Sequence, residues 1–149
     1  MDMDIMEGST RNIKLCSACL LGIKCKYNGG DNFNKKVAGM AEKETLVPVC
    51  PEQLGGLLAP REPSEQRDGK VFSKSGKDVS DNFEKGAREV LKLAKMFGVK
   101  EAILKQRSPS CGCGKIYDGT FSGKVIEGDG VTVKLLKQNG IKVISEEDL

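Results

Sequence analysis

Apolar and polar positions along the chain change period in a regular order, and that order predicts alternating strands and helices. Ile13-Lys14-Leu15-Cys16-Ser17 reads as a short strand. Asn34 is placed to cap a helix running through Val37, Met40 and Ala41. Thr45-Leu46-Val47-Pro48-Val49 is a second strand, and Pro48, which has no N–H to donate, directs it to a sheet edge or a bulge. Residues 61–77 are polar and glycine-containing, with a small hairpin around Val71-Phe72-Ser73. Val79, Phe83, Ala87, Val90, Leu91, Ala94 and Phe97 then recur at helical spacing, with Asp81 and Glu84 offering a capping box and Gly98 a stop. A third strand over 101–105 leads into a loop carrying Cys111. Residues 115–128, glycine-rich and holding Tyr117 and Phe121, read as a loop or hairpin. Asp129 is expected to cap a last helix over Val131, Leu135 and Leu136, closed by Gly140 and followed by a strand over 141–144.

This alternation predicts one α/β domain over 13–149, three-layered with a mainly parallel sheet of the Rossmann-like or flavodoxin-like kind. Residues 1–12 are expected to form a disordered or vector-derived tail. A length of 149 residues suits a single domain, and 38% hydrophobic with 30% charged residues marks a folded, soluble chain. No apolar run approaches a membrane span, so no membrane partner is expected. The start Met-Asp-Met-Asp-Ile-Met-Glu lacks the basic and apolar regions of a secretory signal. A cytoplasmic location with reduced thiols is therefore predicted, in preference to three disulfides. The net charge of +3 permits contact with a nucleotide or RNA without demonstrating one.

Candidate chemistry rests on six cysteines and no histidine, so a soft-metal site must be built from thiolates. Cys19, Cys50 and Cys111 each follow the carboxyl end of a predicted strand. Open parallel sheets form their ligand sites at that edge. Cys50-Pro51-Glu52 sets a carboxylate beside a thiol, which suits general acid or base work. Ser108-Pro109-Ser110-Cys111-Gly112 combines two hydroxyls, a rigid turn and a thiol. Each segment also has a plain reading: a buried structural cysteine, a surface glutamate in a turn, a proline turn. Cys16, three positions before Cys19 on extended chain, is expected on the opposite face as core, and packing leads for Cys25 and Cys113. Structural zinc favours four ligands in closely spaced pairs. Three dispersed cysteines fit a [4Fe–4S] cluster better, with the fourth iron left free as a Lewis acid.

The same segments carry a family resemblance. Ser17-Ala18-Cys19-Leu20-Leu21-Gly22 with Cys25-Lys26-Tyr27-Asn28-Gly29, then Cys50-Pro51-Glu52 with Leu54-Gly55-Gly56 and Pro60-Arg61, resemble motifs of the thiouracil desulfidase (TudS) family. Arg107-Ser108-Pro109-Ser110-Cys111-Gly112, continuing into Ile116-Tyr117-Asp118-Gly119-Thr120-Phe121, resembles its third motif. The resemblance runs from about Leu15 to the C-terminus. It implies a [4Fe–4S] cluster on Cys19, Cys50 and Cys111, whose free iron takes the sulfur of 2-thiouracil or a related thiolated base or nucleoside. Glu52 would activate water or relay protons, assisted by Ser108 or Ser110. Sulfide would remain as a [4Fe–5S] species and leave without net redox change. Cys16 and Cys113 are thiols beyond that pattern, and either could occupy the open iron or carry a persulfide. Two other readings stand beside this one. One is a sulfide carrier delivering hydrosulfide to a tRNA- or cofactor-thiolating partner. The other is a binding module with structural zinc.

Overall fold

A computed structural model describes residues 11–149. The chain runs through β1 (Ile13–Ser17), a 3-10 turn (Ala18–Leu21), α1 (Lys35–Met40), β2 (Thr45–Val49), α2 (Pro51–Leu54), β3 (Ser64–Arg67) and β4 (Lys70–Ser73). It continues through α3 (Ser80–Met96), β5 (Glu101–Leu104), β6 (Lys115–Tyr117), β7 (Val125–Glu127), α4 (Val131–Gln138), β8 (Lys142–Ser145) and a closing 3-10 turn (Glu146–Asp148).

Four strands form a parallel sheet in the order β2-β1-β5-β8, so the chain reverses its direction of travel beside β1. Alternation in β1 sorts side chains to two sides. Leu15 packs with Val90, Ala94, Val133 and Leu136 under α3 and α4. Cys16 packs with Leu20, Val37 and Ile103 under α1 and the first 3-10 turn. Helices on both faces of a parallel sheet make the predicted three-layer α/β domain. The α3 stripe of Phe83, Ala87, Val90 and Ala94 is buried as its spacing predicts. Phe83 alone, fully covered, is worth about 1.5–3 kcal/mol of burial. Pro48 lies on β2, which among the described residues pairs only with β1 and is the edge strand. Two antiparallel hairpins, β3-β4 and β6-β7, resolve the segments read as a small hairpin and as a loop or hairpin.

Local differences from the sequence reading have physical causes. Asn34 caps α1 as expected, its side chain accepting from the Val37 N–H at 3.1 Å. The Asp81–Glu84 capping box does not form, because α3 begins two residues earlier than that cap requires, at Ser80 with Val79 as its N-cap. The Ser80 N–H is instead taken by Asp78 Oδ1 at 2.9 Å, leaving Asp81 in the first turn, where its charge suits the helix dipole. Asp129 does not cap α4 either. The N–H groups of Val131 and Thr132 donate to the carbonyls of Pro109 and Ser110, both at 2.9 Å. The loop around Cys111 therefore caps this helix with its own backbone. The tail predicted over 1–12 lies outside the described residues up to position 10. Residues 11 and 12 belong to the domain: Arg11 Nη2 donates to the carbonyls of Ala41 and Glu44, and the Asn12 carbonyl accepts from Thr45.

The short helix α2, which directly follows Cys50, is set by backbone contact with α3. A Cβ on Gly86 would lie 1.9 Å from the Pro51 carbonyl oxygen, and one on Gly55 would lie 2.0 Å from that of Asn82. Gly86→Ala is therefore expected to overpack this seam, costing about 1–3 kcal/mol in denaturant unfolding.

Candidate functional site

The carboxyl ends of β1, β2 and β5 open into a cavity of about 470 Å³, within the ~300–1,000 Å³ usual for small-molecule sites. Its walls include all six residues singled out from the sequence: Cys19, Cys50, Glu52, Ser108, Ser110 and Cys111. Cys19 arrives on the first 3-10 turn, Cys50 directly off β2, and Cys111 on the turn after β5. That last turn is held tightly. Ser108 Oγ accepts from the N–H groups of Ser110 and Cys111 at 3.1 and 3.0 Å. A Cβ on Gly130 would meet the Ser110 carbonyl carbon at 2.3 Å, so the α4 N-terminus presses directly on the cysteine turn.

All six cysteines are free thiols. The Asn32 side chain is a donor to Cys19, although burial still raises the Cys19 thiol above its ordinary value. For Cys50 the principal donor is the Cys25 thiol, joined by the Gln53 N–H and the positive charge of Arg61. Together they overcome burial and bring Cys50 down to about 7, while the same pairing and burial push Cys25 up. When protonated, Cys50 donates instead to the Cys25 carbonyl, at 3.9 Å. Cys111 is buried deeply enough to be pushed up to about 12 in spite of the Ser17 hydroxyl, and Ser110 Oγ lies 3.5 Å from its sulfur.

Beside the thiols lies a chain of polar groups. Ser108 Oγ and Ser110 Oγ are 3.0 Å apart, and Ser110 Oγ donates to Glu52 Oε2 at 3.3 Å. Ser110 has a single hydroxyl proton, and the carboxylate is the strongest acceptor in reach, so Ser108 is left to donate to Ser110. The other carboxylate oxygen, Oε1, accepts from Arg61 Nε at 3.2 Å. Arg61 is also tied through Nη2 to the Cys25 carbonyl at 3.0 Å. Both side chains are nearly buried, 16% and 11% exposed, so this ion pair is screened far less than a surface pair.

Arg61 and Cys25 are the site members whose roles sequence reasoning missed. Pro60-Arg61 belongs to the quoted second motif, but nothing in it shows that the guanidinium reaches Glu52, nine positions away. Cys25, read as packing, is indeed buried, yet it lines the cavity and touches Cys50. The two thiols beyond the family pattern do not line the cavity. Cys16 is core, as expected, with burial pushing it to about 12. Its expected separation from Cys19 across the sheet does not hold. The backbone leaves the extended form at Ala18, and the tight turn brings Cys19 back onto the Cys16 side. Cys113 donates its thiol to the Val143 carbonyl at 3.3 Å and packs on the α3–α4 face.

A single metal ion does not fit the thiol arrangement. Among the described residues no three cysteine, aspartate or glutamate side chains converge on one ion position. Cys19, Cys50 and Cys111 around a roomy cavity, with polar side chains beside them, match the needs of a larger thiolate-held cluster. The donor set fits a [4Fe–4S] group held by Cys19, Cys50 and Cys111.

Comparison with known proteins agrees with this chemistry. A solved structure described as a [4Fe-4S]-dependent thiouracil desulfidase, TudS, superposes with a TM-score of 0.88 at 38% identity, covering 93% of each chain. The uncharacterized protein YbbK of Bacillus subtilis (strain 168) is 46% identical over 145 residues, covering 91% of this chain and 96% of the relative. The family model for 2-thiouracil desulfurase matches residues 15–148, essentially the whole domain. The chain belongs to the 2-thiouracil desulfurase family.

Proposed function

We propose that this chain is a [4Fe–4S]-dependent desulfidase that converts a thiolated pyrimidine such as 2-thiouracil to its oxo form and releases sulfide. The observation that carries the reading is the meeting of three strand-end thiols with a Glu52–Ser110–Ser108 chain on one cavity. When bound, the cluster supplies an iron with no cysteine ligand, a Lewis acid able to polarise a carbon–sulfur bond. Cys19, Cys50 and Cys111 hold it, and Asn32, Gln53 N–H and Ser17 supply hydrogen bonds that favour their thiolates.

The protein's own part is proton handling. Water adds its oxygen to the ring carbon that carries sulfur, and Glu52 takes one proton from that water. The carbon–sulfur bond then breaks with its electron pair on sulfur, leaving a carbonyl and hydrosulfide, so no electron is gained or lost overall. Arg61 balances the charge on Glu52 and aims it, since Oε1 is committed to Nε and only Oε2 faces the serines. Ser110 and Ser108 pass the proton on from Oε2 towards the cavity. The Glu52–Ser110–Ser108 chain favours this reading over a sulfide carrier, because delivering hydrosulfide takes no proton from water.

The test is anaerobic turnover of 2-thiouracil without any reductant, in water enriched in heavy oxygen. Equal amounts of labelled uracil and sulfide are expected. Sulfide appearing only with a reductant, or in a partner's thiolated product, would replace this reading with redox or carrier chemistry. Because Cys113 stands outside the cavity and a serine would keep the bond to Val143, Cys113→Ser is expected to retain wild-type iron content and turnover within about twofold.

A further inference from the structure

One buried carboxylate has no part in the chemistry above. Glu65, on β3, is 8% exposed and makes no ion pair among the described residues. Its Oε1 accepts from two backbone groups of a distant loop, the N–H of Gly119 and of Phe121, both at 3.0 Å. Burying a carboxylate is costly, and here its return is the shape of one loop. The loop is held elsewhere as well. Asp118 Oδ1 takes the N–H and hydroxyl of Thr120, at 2.9 and 2.6 Å. Gly119, at φ 95°, passes so close to β3 that a Cβ would lie 2.7 Å from the Gln66 carbonyl oxygen.

These restraints set Phe121 in the left-handed region at φ 57°, a conformation disfavoured for a side chain of this kind. Its ring would be easier to place in an ordinary backbone state if it served only to fill the core. Instead Phe121 lines the same cavity as Cys19, Cys50 and Cys111. Strain held by a buried, otherwise idle carboxylate at a cavity wall is the pattern of a positioned binding group.

We infer that Phe121 is the aromatic face on which the substrate's planar heterocycle stacks, and that Glu65 is the positioning residue that holds it there. This rests on the desulfidase reading and adds to it what recognises the base. Stacking contributes to binding a flat ring and not to proton transfer, so its loss appears in KM while kcat is spared.

Cluster-loaded wild type, Phe121→Leu, Phe121→Tyr, Glu65→Ala and Glu65→Gln are to be compared with 2-thiouracil for kcat, KM, iron content and thermal midpoint. Phe121→Leu is expected to raise KM roughly 5- to 100-fold, the range for loss of one base–aromatic stack, with kcat within about threefold and iron unchanged. Phe121→Tyr restores KM. Glu65→Ala reproduces the KM defect, and Glu65→Gln, whose amide oxygen still accepts both N–H groups, recovers most of it. An unchanged KM in Phe121→Leu overturns the inference. So does a joint fall in iron, thermal midpoint and kcat in both Phe121 variants, which marks a merely structural ring. Absence of turnover in cluster-loaded wild type is a separate outcome: it removes the desulfidase reading and the stacking role with it.

Discussion

Replacing Glu52 with glutamine should lower kcat for 2-thiouracil by about 10²–10⁴-fold, the contribution of a positioned general base. KM and iron content should remain near wild type. The amide keeps the volume of the carboxylate and can still accept from Arg61 Nε, so the architecture around Cys50 is preserved. What is lost is the acceptor facing Ser110: the amide nitrogen would donate to Ser110 Oγ and reverse the direction of the hydrogen-bond chain. Single-turnover kinetics with iron quantified in the same sample separates the two effects. A variant with full iron and an unimpaired rate would remove Glu52 from the proton path.

Cys111→Ala should abolish turnover altogether and leave the protein largely without iron. Two thiolates remain, and the one lost is the most enclosed of the three, 4% exposed and pressed between the Ser108–Ser110 turn and the start of α4. Cys113 is bonded to Val143 outside the cavity, and the remaining cavity thiol, Cys25, is paired with Cys50. Cys16 is committed to the core beside Ile103 and Val37. Because the Cys111 backbone is fixed by Ser108 Oγ rather than by its own side chain, the variant should still fold. Circular dichroism would then match wild type while visible absorbance and iron are lost. Wild-type iron in Cys111→Ala would mean that the ligand set is different.

The contrast between Cys111 and Cys113 shows where sequence reasoning reaches and where it stops. Periodicity places strands and helices, and strand ends place Cys19, Cys50 and Cys111 on one edge, because the direction of a parallel strand decides where the following loop lies. Glu52 and the two serines then follow from their nearness to those cysteines. What periodicity does not encode is contact across the fold. The Arg61–Glu52 pair, the Cys25 thiol beside Cys50 and the Gly86–Pro51 seam all depend on how the α2 turn docks on α3. The expected caps failed for a related reason. Asp129 has the right chemistry for a cap, but the carbonyls of Pro109 and Ser110 reach the helix end first. Asp129 accepts instead from Gly114 N–H and Lys137 Nζ. Cys16 and Cys19 were misplaced relative to each other because a 3-10 turn, too short to carry a period, starts between them.

The proposed function turns on a cluster with three cysteine ligands and one iron left for sulfur. Mössbauer spectroscopy of anaerobic protein reconstituted with enriched iron tests it most directly. Three similar irons and one distinct iron are expected, with the distinct site alone shifting when 2-thiouracil is added. Four equivalent irons that ignore 2-thiouracil would contradict the site described here.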